Sequence, residues 1–267
     1  MKHLLQYGLI KLLSIVRAFP TGMSNPAELR TLLESLHPRT PDQKLIRLGP
    51  TGDGGYLVPD DLAGIQACFS PGVSFVSGFE KDCAELGMQV FLADKSVDQP
   101  ADRHERFHFT KKYLGVTTDD SFMTLEHWVN SSLPGSDADL MLQTDIEGYE
   151  YEIFLSASDT LMKRFRIIVA EFHLLDQLYS APFFNVARRA FEKILQTHVS
   201  VHIHPNNYRP PIQLHGISIP KVMEFTFVRK DRLHGQSYQT QFPHALDCDN
   251  SPNPSVLLPK CWFRQSA

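Results

Sequence analysis

Three carboxylates fall within six residues in Asp145-Ile146-Glu147-Gly148-Tyr149-Glu150, directly after the apolar run Asp139–Thr144. Acids at a strand-to-helix turn either start the helix, where its N-terminal dipole favours negative charge, or stand ready as bases and ligands. Glu171 and His173 are separated by one residue, and so are His202 and His204. On a strand the two members of such a pair point the same way. Each pair alone has an ordinary structural reading. Together with Asp145 they bring carboxylate and imidazole groups to one rim, a set suited to a divalent metal or to a general base. A closed structural zinc site is not expected, because Cys68, Cys83, Cys248 and Cys261 lie far apart with no CxxC; a disulfide scaffold is not expected for the same reason.

Two further segments carry weaker signals. Phe69-Ser70-Pro71-Gly72-Val73 lacks the GxGxxG dinucleotide pattern, yet Gly72 would let backbone approach a ligand beside the N-terminus of the next helix. Asp94 stands 24 residues after Ser70, at the end of another apolar run. A carboxylate there can accept hydrogen bonds from both ribose hydroxyls, or simply close a turn. Residues 205–220 are expected to form part of an acceptor loop, in which Tyr208, Arg209 and Pro210-Pro211 either line the pocket or, as the preferred reading, make an ordinary proline-stiffened loop.

These residues need elements to position them. LIRLGPTGDGGYLV (45–58) reads as a hairpin about a glycine-rich turn. Strands are expected at Ile65–Phe69, Met88–Ala93, Arg106–Thr110, Asp139–Thr144, Arg166–Ala170, Val199–Ile203 and Val222–Val228. Helices are expected at 74–87, Thr124–Asn130, 149–163 and 182–197; the last sets Phe183, Val186, Ala187, Ala190, Phe191, Ile194 and Leu195 on one side. Such alternation predicts an α/β fold with a mostly parallel sheet and helices on both faces, its ligand beyond the carboxyl ends of the strands. The residues singled out above sit at those ends.

The chain of 267 residues has 42% hydrophobic and 21% charged residues, ordinary for a globular protein and too apolar for disorder. A net charge of −4 gives no support for nucleic-acid binding. No uninterrupted apolar run approaches the roughly 18 residues of a membrane span. Residues 1–19 form an amphipathic helix pattern on Leu5, Leu9, Leu12, Val16 and Phe19, broken afterwards by Pro20, Gly22 and Pro26. Lys11 and Arg17 interrupt it too much for a secretory signal. It would dock on its own domain, on a partner subunit in a homo-oligomer, or peripherally on the inner membrane face. A cytoplasmic location is expected.

The segments FSPGVSFVSGFEKD (69–82), FLADKSVD (91–98), DLMLQTDIEGYEYEIF (139–154), RIIVAEFHLL (166–175) and VHIHPNN (201–207) resemble the FkbM-type family of class I S-adenosylmethionine-dependent methyltransferases, as does the lead-in GDGGYLVPDDL (52–62). DIEGYE is the most specific match, while SPGV departs from the family's more glycine-rich turn. The resemblance spans about 45–230. It implies a Rossmann-like class I fold of seven strands, the last antiparallel and expected at Val222–Val228. It also implies S-adenosylmethionine held by Ser70, Gly72, Glu80, Asp94 and Asp145, and O-methylation of a sugar, glycan or glycolipid-linked acceptor. His173 or His204 would act as base beside Asp145. Alternatively Asp145, Glu171, His173 and His204 would hold Mg²⁺ or Mn²⁺ to acidify the acceptor hydroxyl. The domain expectation is an N-terminal helix and linker (1–44), a methyltransferase domain (45–235) and an irregular tail packed on it (236–267). Two rival readings use the same residues: a metal-dependent hydrolase, and a non-catalytic binding module on this fold.

Overall fold

The computed structural model describes residues 20–73 and 75–265, with Leu13 and Ile15. The amphipathic segment 1–19 therefore lies outside the described residues apart from those two. Seven strands make the central sheet: β3 (Ala67–Pro71), β4 (Gln89–Ala93), β5 (Phe107–Thr110), β8 (Leu140–Thr144), β9 (Phe165–Phe172), β10 (His198–Pro205) and β13 (Met223–Arg229). Their order is β5-β4-β3-β8-β9-β13-β10. Pairings among the first five are parallel, and β13 runs antiparallel to both β9 and β10. This is the strand order and single reversal of the class I methyltransferase fold.

The sheet is buried on both faces, which explains why its central strands are continuous apolar runs rather than alternating ones. All eight residues of β9 and all five of β8 are buried. Alternate side chains feed opposite layers, because successive Cβ atoms point to opposite faces. Phe69, Leu142, Ile168, Ala170 and Phe172 join the larger core with Phe191, Phe225 and Trp262. Cys68, Met141, Ile167 and Val169 join the other with Val90 and Phe79. Burying each such large side chain stabilises by roughly 1.5–3 kcal/mol.

Helices α2 (Gly78–Glu85), α3 (Leu125–Ser132) and α6 (Ala181–Thr197) cover these faces; α6 buries Phe184, Ala187, Ala190, Phe191 and Ile194 at helical spacing. The helix expected over 149–163 is two pieces, α4 (Glu150–Ser156) and α5 (Asp159–Met162). Ser158 starts the second by accepting from the Leu161 N–H at 3.1 Å. The hairpin forms as β1 (Leu45–Leu48) and β2 (Tyr56–Pro59).

Pro26, expected only to break structure, instead occupies the first turn of α1 (Pro26–Ser35), where its missing N–H costs nothing. Asn25 caps that helix by accepting from Ala27 N at 2.9 Å, and Leu29, Leu32 and Leu33 are buried. Two small pairs also form, β6 (Tyr113–Gly115) with β7 (Phe122–Thr124), and β11 (Ile212–Leu214) with β12 (Ile217–Ile219). In the tail, Trp262 is fully buried and donates from Nε1 to Ser218 O at 3.0 Å. No described helix is long and apolar enough to cross a membrane.

Candidate functional site

The order of strands reverses between β3 and β8, and such switch points open a crevice beyond the carboxyl ends. Gly72 follows β3 and Asp145 follows β8. Gly72 has φ +92°, and a Cβ there would lie 1.7 Å from the Asp145 carbonyl oxygen. Only glycine allows this contact between the two strand ends.

The turn after β8 is built by Glu150. Its side chain is fully buried, and Oε1 accepts from Ile146 N at 3.0 Å and Gly148 N at 3.3 Å. Glu147 (φ +57°) and Gly148 (φ +108°) are both left-handed. That bend turns the Glu147 side chain outward, 86% exposed. Of the three acids of the turn, the one that starts the helix is thus Glu150.

Glu150 also fixes His173. The ring Nδ1 lies 3.2 Å from Glu150 Oε1 and 3.2 Å from the Glu171 carbonyl. Both are acceptors, so Nδ1 carries the proton and the neutral ring keeps its lone pair on Nε2. Nε2 sits 3.5 Å from Glu147 Oε2 and 3.8 Å from Asp145 Oδ1. Burial opposes charge on His173, but the Glu150 hydrogen bond and the charges of Glu150, Asp145 and Glu147 outweigh it and raise its pKa. Burial pushes the Asp145 carboxyl up to about 7; Glu150, Glu147 and Asp53 add to the rise and His173 opposes it.

Two cavities meet at Asp145 and Glu147. The first, about 420 Å³, runs over Gly72, Asp94 and Ser96 to Tyr113, Leu114 and Phe122. Asp94 Oδ1 accepts from Ser96 N at 2.6 Å and Ser96 Oγ at 2.7 Å, while its second oxygen has no partner among the described residues. Asp94 therefore closes a turn and still presents an acceptor. The second cavity, about 450 Å³, is walled by Glu171, His173, Asn206 and Tyr208, by Asp53 of the hairpin turn, and by Asn250 and Ser251 of the tail.

Ser70 and Glu80 line neither cavity. Both are buried beneath the crevice, with Ser70 Oγ 2.6 Å from Glu80 Oε1 and 2.7 Å from Gln143 Oε1. One hydroxyl proton cannot serve both acceptors. Burial raises the Glu80 pKa, and the Ser70 hydroxyl donates to one or the other of these two acceptors. Glu171 lines the second cavity, accepting from Asn206 Nδ2 at 2.8 Å; burial and the Asp145 and Glu224 charges raise its pKa well above the usual range.

His204 also lines neither cavity. Its Nδ1 lies 3.5 Å from Asp247 Oδ2, while His202 Nε2 lies 2.8 Å from Asp247 Oδ1. Of the four metal candidates, Asp145 and His173 come together with Glu147 as the third member: one ligating atom from each falls within 4.8 Å of the others. Sequence reasoning missed Tyr113 and Phe122, which sit on three-residue strands too short for a periodicity signal, and Asp53, Asn250 and Ser251, which come from loops.

No protein-family profile matches the chain, and no curated protein sequence does. Among solved structures, one similar chain is provisionally assigned as an RNA methyltransferase of Pyrococcus horikoshii. It shares 11% identity, with 78% of this chain and 98% of that one covered and a TM-score of 0.33. EvdMO1 also shares 11% identity, over 80% of this chain and 49% of that one, at a TM-score of 0.26. Likeness at this level does not bear on activity; the fold class stands on the strand order itself.

Proposed function

We propose that the protein is an S-adenosylmethionine-dependent O-methyltransferase whose acceptor is a hydroxyl of a sugar or glycan-linked molecule. The observation that carries this reading is the meeting of two cavities at Asp145, with the Nε2 lone pair of His173 held at the junction. The first cavity fits the donor: Gly72 removes the side chain that would fill the crevice, Asp94 keeps an oxygen free for ribose hydroxyls, and Tyr113 and Phe122 supply flat apolar surface for a base. When bound, the donor supplies an electrophilic methyl group. The chain's own work is then to aim an acceptor oxygen in line with it and to take the hydroxyl proton. His173 takes that proton on Nε2, and the imidazolium formed is stabilised by Glu150 on the far side of the ring.

A second reading is favoured by the Asp145, Glu147 and His173 triad. Mg²⁺ or Mn²⁺ held there would acidify the acceptor hydroxyl directly. Calorimetry with S-adenosylmethionine tests the first reading. Binding is expected, with Asp94→Asn weakening it about 10–100-fold, as for loss of a hydrogen bond to a charged group; absence of binding to the wild-type chain would sink the proposal. Elemental analysis and a chelator separate the base from the metal: transfer that survives complete metal removal leaves His173 acting alone.

A further inference from the structure

The two ends of the central sheet carry opposite surfaces. At the amino ends of the parallel strands, Arg166, Arg229 and Arg232 are bound by Asp61, Asp139 and Asp231 in one ion-pair network. At the carboxyl ends, where both cavities open, large apolar side chains face out instead. Tyr113 and Tyr149 line the first cavity, Leu174 and Tyr208 line the second, and all four are exposed. Phe75, in the loop after β3, is 95% exposed. These residues follow β5, β8, β9, β10 and β3, so it is the fold that gathers them at one end. Exposed apolar side chains scattered singly need no explanation, whereas a group of them around a crevice marks a surface that meets a partner.

The N-terminal segment joins the molecule at the same end. Gly22 O accepts from Ala181 N at 2.8 Å, Ser24 N donates to Tyr179 O at 2.9 Å, and Thr21 Oγ1 lies 2.9 Å from Ser180 Oγ. These partners close the 3-10 turn Leu175–Tyr179, which follows Leu174 directly, and they begin α6, which runs back to the amino end of β10. Residues 1–19 enter the fold there. Their sequence has the apolar side Leu5, Leu9, Leu12, Val16 and Phe19, and it carries Lys2, Lys11 and Arg17 with no acid, in a chain whose net charge is −4. That pattern suits the interface of an anionic bilayer, not the surface of this acidic protein. At the rim, Lys112, Arg209 and Lys221 set three cations against the exposed Glu147.

We propose that the carboxyl end of the sheet docks on an anionic lipid bilayer. Phe75 and Leu174 enter the interface, and Tyr113, Tyr149 and Tyr208 sit at headgroup level. Tyrosine suits that depth because its ring is apolar and its hydroxyl can stay wet. In this pose both cavities open onto the membrane surface. The inference stands on that surface and goes beyond the methyl-transfer reading without depending on it.

Flotation of the full chain with vesicles of phosphatidylcholine and phosphatidylglycerol, set against phosphatidylcholine alone, tests it. Binding to the mixed vesicles is expected, about tenfold stronger than to the neutral ones. Phe75→Ser is expected to lower the partition coefficient about tenfold, the effect of withdrawing one large apolar side chain from the interface. Leu174→Asn should act likewise, and asparagine tolerates the left-handed backbone of that position, φ +58°. Leu86→Ser, which removes an exposed apolar residue ahead of β4 at the amino end, should leave binding unchanged. Circular dichroism of each variant shows that it is folded. Absence of binding to the mixed vesicles overturns the proposal. So does binding that Phe75→Ser and Leu174→Asn leave intact, because another face then carries it. A concentration-dependent dimer that Phe75→Ser dissolves, without vesicle binding, assigns the surface to a second copy and overturns it equally. Vesicle binding by a chain that does not bind S-adenosylmethionine keeps the docking surface and removes methyl transfer.

Discussion

Two clusters in this molecule use the same side chains for opposite ends. Around His173, three carboxylates share one ring, and its Nε2 opens into a cavity junction beside the 86% exposed Glu147. Around Asp247, two rings share one carboxylate that is 4% exposed, and the His202 Nδ1 and His204 Nε2 that point away from it are buried without partners among the described residues. The first leaves a lone pair facing space for a ligand; the second spends its polar groups tying the tail to β10. Burial lowers the His202 pKa, while the Asp247 hydrogen bond and the Glu224 and Asp247 charges overcome burial and raise that of His204. Composition is no guide to chemistry here. What separates the clusters is whether a ring nitrogen is left facing a cavity.

The largest expected effect breaks the comparison on the open side. His173→Ala removes the proposed base, and methyl transfer should fall about 10²–10⁴-fold, or about 3–5 kcal/mol of transition-state stabilisation. Donor affinity should be unchanged, while the thermal midpoint should fall because the buried Glu150 loses its imidazole partner. Single-turnover rates with calorimetry on the same preparation check this. Transfer at an undiminished rate would move the base elsewhere.

The next effect belongs to the closed side. Asp247→Ala strips two buried rings of their shared acceptor and should cost about 3–5 kcal/mol of stability, read as a shift of the urea midpoint. Both histidines hold the Asp247 carboxyl well below the usual range despite its burial. A depressed carboxyl pKa stabilises the fold above the unfolded value of about 4 and is lost as pH falls below it, so the wild type should lose stability in that window and the variant should not. Equal acid sensitivity would show that the tail is not pinned here.

The ends of strands were readable in the sequence, and the distinction between the two clusters was not. LMLQT and FRIIVAEF are apolar because they are buried on both sides, and that burial made β8 and β9 visible and put Asp145 and His173 at a rim. Glu171/His173 and His202/His204 have identical spacing, and the partner that separates them, Asp247, lies more than forty residues beyond β10 in a stretch with no periodicity. The hairpin was legible, but its role of carrying Asp53 to the cavity depends on Arg47, which anchors the turn by donating to Pro50 O and Gly52 O at 2.7 Å each. Loop-borne walls of this kind arise from tertiary hydrogen bonds, which leave no local pattern.

The smallest effect sharpens the comparison most, because it changes what holds the open ring rather than the ring itself. Glu150→Gln keeps an oxygen that can accept from Ile146 and Gly148, so the turn should survive, but it removes the charge beneath His173. Two consequences separate a positioning role from a merely structural one. Transfer should fall about tenfold, the loss of about 1.4 kcal/mol of imidazolium stabilisation. The acid limb of the pH–rate profile should also move to lower pH, since Glu150 raises the His173 pKa and a base works only when unprotonated. In the His173→Ala background the same substitution should add little, because a residue acting through the ring has nothing left to act on. A rate loss with an unmoved acid limb, or an undiminished loss without His173, would reduce Glu150 to a brace for the turn and leave the open cluster resembling the closed one.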